Sequence, residues 1–153
     1  VASSNPTTYN AKLPPGIHPH DLSSFYDLTV APYPEHTRRH NLWHGFLGLY
    51  HRLLKANLHG LEIWIDGSFL TDKFDPQDID CVLWIPESHI NECGPDEYTA
   101  LCELRDIAAI QRKYLTHLFL APAGDQDNIQ YWTRWFRDGR DPSKPKGFVR
   151  IAL

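Results

Sequence analysis

The sequence predicts one α/β domain of the α+β type, a small mixed sheet with flanking helices. Three observations carry this. Short alternating or continuous apolar runs, as in "LEIWID" and "DIDCVLWI", read as strands. Longer segments with apolar residues three and four apart read as helices between them. The length, 153 residues, fits a single domain with a real core.

Residues 1–12 are rich in Ser, Thr, Asn and Pro and read as a flexible leader, so the domain is expected over 13–153. "LPPGIHPH" (Leu13–His20) is rigid and turn-rich and is expected to drape over the surface. From Glu35 to Leu58, Leu42, Trp43, Phe46, Leu47, Tyr50, Leu53 and Leu54 recur at helical spacing, with Gly60 as the stop. "LEIWID" then alternates, with Leu61, Ile63 and Ile65 on one face and Glu62, Trp64 and Asp66 on the other. A loop through Pro76 leads to the strand "DIDCVLWI". "PDEYTALCELRDIAAIQRKY" predicts one helix, with Pro95 near its start and acids in its first turn. "YLTHLFLA", ended by Pro122 and Gly124, is a third strand; "NIQYWTRWF" a short aromatic helix; "KGFVRIAL" a final strand. The predicted order is α-β-β-α-β-α-β.

Composition narrows the function. Hydrophobic residues make up 42% and charged residues 22%, as in soluble globular proteins, and a net charge of −4 argues against whole-molecule nucleic-acid binding. Cys81, Cys93 and Cys102 lack C-x-x-C spacing, which argues against zinc or a disulfide framework and for a reducing compartment. The polar start "VASSNPTTYN" is unlike a signal peptide, and no apolar run suits a membrane helix. The expected setting is cytoplasmic.

The chemistry concentrates in "WIDGSFLTDKFDPQDIDCVLW" (Trp64–Trp84). Asp78 and Asp80 are two apart on a strand, so they share a face. Two carboxylates this close repel unless a cation lies between them. A hard cation such as Mg²⁺ or Mn²⁺ prefers such oxygen ligands and takes substrate phosphates as well. Gly67 and Ser68 end the preceding strand, where glycine admits a phosphate close to the backbone and the serine can donate to it. One hairpin thus joins a phosphate cradle to a metal site, as phosphoryl or nucleotidyl transfer requires. The competing reading is a simple turn with two strand-end aspartates.

With nine residues between Ser68 and Asp78, the hairpin resembles the G-S-x9-D-h-D signature of the nucleotidyltransferase fold typified by DNA polymerase beta. It looks more closely like a group of small, stand-alone bacterial and phage-type proteins of that fold, in which "DGSF-T-K-P-DID" recurs between "LPPG-H" and a closing "KGFVRI"-like strand. The resemblance spans Leu13 to Leu153. It implies that Gly67 and Ser68 contact the triphosphate of an NTP and that Asp78 and Asp80 hold Mg²⁺. Lys73 belongs to the pattern and can reach the triphosphate as a point charge, or be a solvated loop lysine. The implied activity is transfer of NMP from an NTP to a protein or RNA acceptor. Better-known relatives of the group are minimal nucleotidyltransferases of toxin–antitoxin and phage-defence systems.

Such enzymes usually add a third acid from a later strand. "KYLTHLFLA" carries none and aligns His117 instead. Two readings of His117 stand: a substitute base, or a polar residue packed beside an impaired site. The second makes the chain a binding module acting through a protein partner. Asp125 and Asp127 either reach back to the site or cap the next helix. Asp66 either joins the site or holds the hairpin. His36, His40 and His44 form a stripe read as a polar helix face, Arg38 and Arg39 as solvated, and Cys81 as core. Arg134, Arg137, Arg140, Lys144, Lys146 and Arg150 make the C-terminal part basic; Trp132, Trp135 and Phe136 among them read as core before nucleotide stacking. A domain this small is expected to need a homodimer or a partner protein to present its acceptor.

Overall fold

The computed structural model describes residues 9–139 and 141–153. Residues 1–8 of the expected leader, and Arg140, lie outside the described residues. The elements run β1 (Gly16–Pro19), α1 (Leu22–Thr29), α2 (Arg38–Lys55), β2 (Glu62–Asp66), a 3-10 turn (Ser68–Leu70), β3 (Ile79–Ile85), α3 (Glu87–Glu92), α4 (Pro95–Leu104), α5 (Ile107–Tyr114), β4 (Thr116–Pro122), α6 (Gln126–Asp138) and β5 (Gly147–Ala152). The five strands form one mixed sheet in the order β1-β5-β2-β3-β4. The β2–β3 and β2–β5 pairs are antiparallel; β3–β4 and β1–β5 are parallel. The α/β class with flanking helices is therefore as expected.

Several elements depart from expectation, each for a local reason. The turn-rich "GIHP" segment is an edge strand, and Pro19 is tolerated because an edge needs no second ladder. Helix α1 went unread, although Asp21 and Ser24 form a reciprocal capping box at its start. Helix α2 ends at Lys55, before the expected Gly60 stop, with Asn57 in the left-handed region at φ 59°. The single helix expected over 95–114 is two, because the Asp106 side chain accepts from Ala109 N at 3.0 Å and starts a new helix there. Residues 10–12, expected in the flexible leader, are instead fixed to the loop after β2. Asn10 donates to both Asp72 oxygens at 3.0 Å, and Lys12 N donates to Leu70 O.

Both sheet faces are covered. Ile63, Ile65, Cys81, Leu83, Leu118 and Ile151 are buried in one core with Leu42, Phe46, Leu49 and Leu53 of α2. On the other face, Trp132 of α6 lies against Phe119 and Phe136 against Phe148, which in turn meets Trp64. That second layer is why Trp64 is buried despite sitting on the expected polar face; Asp66, on the same face, is buried beside Lys146. Trp132 and Phe136 are core as read, but Trp135 is 59% exposed. It projects away from the sheet and stacks with Tyr131. No helix among the described residues is long and apolar enough to cross a membrane.

Candidate functional site

Register brings the site together. In the sheet, Asp66 of β2 sits opposite Asp80 of β3, and Asp80 sits opposite His117 of β4. Three strands therefore deliver three polar groups in one row across the sheet. Asp78, one residue before β3, joins them from the same side, as the two-residue spacing predicts. One ligand atom from each of Asp78, Asp80 and His117 lies within 4.8 Å of the others. All three side chains are half-buried, so the row opens to solvent at this end.

The electrostatics follow from crowding. Burial, then the Asp78 charge, push the Asp80 carboxyl above the usual range, against the opposing pull of His117 and Lys146. His117 Nδ1 lies 3.4 Å from Asp80 Oδ1, and its ring packs on Phe119 with centroids 4.5 Å apart. Gln111 of α5 donates from Nε2 to Asp78 Oδ2 at 3.0 Å. Asp66 is 4% exposed, and burial raises its carboxyl to about 6 although Lys146 Nζ lies 3.0 Å from its Oδ1. That oxygen has the charge contact with Lys146 but no hydrogen bond of good angle.

Gly67 joins β2 to the 3-10 turn with φ 87°, a conformation that favours glycine, and a Cβ there would overlap the Asp80 carboxylate. The Gly67–Ser68 turn thus touches the carboxylate row directly. Behind it stands Arg39, expected to be solvated and in fact fully buried. Its guanidinium donates to the carbonyls of Thr29, Phe69, Thr71 and Lys73 at 2.6–2.9 Å and lies over the Tyr33 ring at 4.1 Å. A lysine has no planar fork to hold four carbonyls this way. Arg38 donates to Gln77 O, just before Asp78.

Of the sequence-predicted residues, Asp78, Asp80, His117, Gly67 and Ser68 are brought to one end of the sheet. Lys73 is not brought to the row. Its ammonium lies 5.6 Å from the Tyr9 ring centroid, and among the described residues it makes no ion pair with Asp78 or Asp80. Asp125 caps α6, accepting from Asp127 N at 3.0 Å and from Asn128, and neither Asp125 nor Asp127 joins the cluster. Cys81 is fully buried and burial pushes its thiol up, as suits a packed core residue. Sequence reasoning missed Arg39 and Gln111 and counted Lys146 only within a basic segment. Only Lys146 carried a signal, as one of two lysines just ahead of the last apolar strand.

The donor set suits a divalent cation. Two ligands of one Mg²⁺ are at most about 4.2 Å apart, so the present 4.8 Å spread closes around an ion with side-chain shifts of roughly half an ångström. The raised Asp80 carboxyl marks the negative charge that such an ion offsets. Imidazole beside two carboxylates admits Mn²⁺ as readily as Mg²⁺.

No curated protein and no solved structure matches the chain. A family model does match, over residues 6–152, nearly the whole sequence and every residue of the site. The chain belongs to the family of unknown function DUF6932.

Proposed function

We propose that the chain is a small Mg²⁺- or Mn²⁺-dependent nucleotidyltransferase that transfers NMP from an NTP to a protein or RNA acceptor. The observation that carries this is the direct contact of the Gly67 turn with Asp80, which sets a glycine turn beside the metal-ligating set of Asp78, Asp80 and His117. The β2–β3 hairpin supports the resemblance to the nucleotidyltransferase fold.

Asp78 and Asp80 would hold the cation, and Gln111 orients Asp78 for it. Bound there, the ion supplies charge neutralisation to the phosphates. Gly67 and Ser68 take the triphosphate against the backbone. His117 turns Nδ1 to Asp80, which leaves Nε2 for the proton of an attacking hydroxyl. The tautomer with Nδ1 protonated, which this role requires, is assigned from that contact.

One observation favours a second reading. β4 presents His117 opposite Asp80 and no acid, so the site can bind nucleotide and fail to transfer it. The chain would then be a binding module acting through a protein partner, such as a toxin–antitoxin or phage-defence component.

Incubating the protein and cell extract with labelled NTPs separates these. Transfer that depends on Mg²⁺ and is lost in Asp78→Asn plus Asp80→Asn supports the enzyme. Metal-dependent binding of a non-hydrolysable NTP without transfer supports the binding module. No nucleotide binding at millimolar concentration sinks the enzyme reading.

A further inference from the structure

Lys146 lies 79 residues from the Gly67–Ser68 turn in sequence, yet it ends beneath it. Its Nζ is 3.0 Å from Asp66 Oδ1 and 3.4 Å from the Gly67 carbonyl, and its side chain is only 15% exposed. The backbone around it is pinned on two sides. Lys146 N donates to Arg137 O at the end of α6, and Gly147 N donates to Leu13 O ahead of β1. A nearly buried ammonium is therefore aimed from a fixed strand end at the junction of the phosphate turn and the carboxylate row.

Three facts make this more than an ion pair that staples a turn. The ammonium has three N–H donors, and the two oxygens just named are the acceptors within reach among the described residues. Asp66 Oδ1 is left without a well-angled hydrogen bond, so the pair is not optimised for itself. The ammonium also acts on Asp80, the central ligand of the row. A positive charge so placed opposes a bare cation on Asp78 and Asp80. It favours a cation that arrives with phosphates, whose negative charge it answers.

We infer that Lys146 makes this site selective for a metal–polyphosphate ligand over a free metal ion, by directing one of its N–H groups to a phosphate oxygen at the Gly67–Ser68 turn. The inference rests on the nucleotide reading above and adds to it the residue that recognises the phosphates. Lys73, the lysine of the sequence pattern, lies against Tyr9, and Lys146 takes that role.

The test measures two affinities on each variant: Mn²⁺ alone by electron paramagnetic resonance, and Mn²⁺ with inorganic tripolyphosphate or a methylene-bridged ATP or GTP analogue by calorimetry. In Lys146→Met, free Mn²⁺ should bind as tightly as in wild type or tighter. Polyphosphate binding should weaken roughly tenfold or more, the scale of one lost charge-assisted hydrogen bond. A merely structural lysine moves both affinities the same way, so loss of both in Lys146→Met overturns the inference. Asp66→Asn frees the ammonium and keeps the test open should Lys146→Met fold poorly. It should retain or strengthen polyphosphate binding while weakening free Mn²⁺, and the reverse pattern overturns the inference. Wild-type protein that takes Mn²⁺ but neither tripolyphosphate nor analogue overturns the nucleotide reading and this inference together. Wild type that binds them, with Lys146→Met equal to it, overturns only the role of Lys146.

Discussion

His117 faces Asp80 across the parallel β3–β4 pair, Nδ1 to Oδ1 at 3.4 Å. A base so placed contributes on the order of a hundredfold or more to a proton-transfer step. His117→Ala should therefore lower label transfer by about that factor while leaving nucleotide-analogue affinity within roughly threefold. Transfer rates and calorimetric affinities, measured on the same preparation, check this. Unchanged transfer in His117→Ala would remove His117 from the base role.

Asp80 is partly buried and lies beside the Asp78 charge, and both push its carboxyl up. Asp80→Asn removes that repulsion, so the metal-free variant should melt at a higher temperature than metal-free wild type. Adding Mg²⁺ or Mn²⁺ should raise the melting temperature of wild type and leave Asp80→Asn unmoved. Thermal scans with and without metal give both comparisons.

Arg39 ties α2 to the end of α1 and to the 3-10 turn and loop after β2 through four carbonyls, each of which is orphaned if it is removed. Arg39→Met should destabilise the fold by about 3 kcal/mol or more, and Arg39→Lys should recover little of it. Urea unfolding of the two variants measures the difference.

Asp66 gives a pH dependence with a defined sign. Its carboxyl is raised by burial to about 6 in the folded chain, against an ordinary value of 3.8. Between these values the folded state holds a proton that the unfolded state has released. Stability therefore falls as pH rises from about 4 to 6 and levels off above, with an upper bound of about 3 kcal/mol from this group. Asp66→Asn removes this group's share of the slope and leaves that of Asp80, whose carboxyl is also raised. Urea titrations at pH 4, 5, 6 and 7 test it, and an unchanged slope in Asp66→Asn would assign the effect elsewhere.

Gly67→Ala places a Cβ against the Asp80 carboxylate at a backbone φ of 87°. Strain of about 1–3 kcal/mol is expected. Metal-dependent nucleotide binding should fall with it, because the turn must shift away from the row. Circular dichroism melts and calorimetry read the two effects separately.

The β2–β3 hairpin was legible in the sequence because its information is local. A period of two puts Asp78 and Asp80 on one side, and a Gly-Ser pair at the strand end marks the turn. The four main strands were legible for the same reason; His117 was singled out only by the resemblance, as the residue standing where such enzymes carry an acid. Tertiary structure decided what surrounds them. Arg39 looked like any helix-surface arginine until the loop after β2 folded its carbonyls around it. Gln111 and Lys146 reach the site from 33 and 79 residues away, a separation over which no periodicity carries a signal. Asp66 is buried beside Lys146 on a face that alternation alone marks as polar. Spacing determines which side of a strand a residue takes; only the packed chain determines what meets it there.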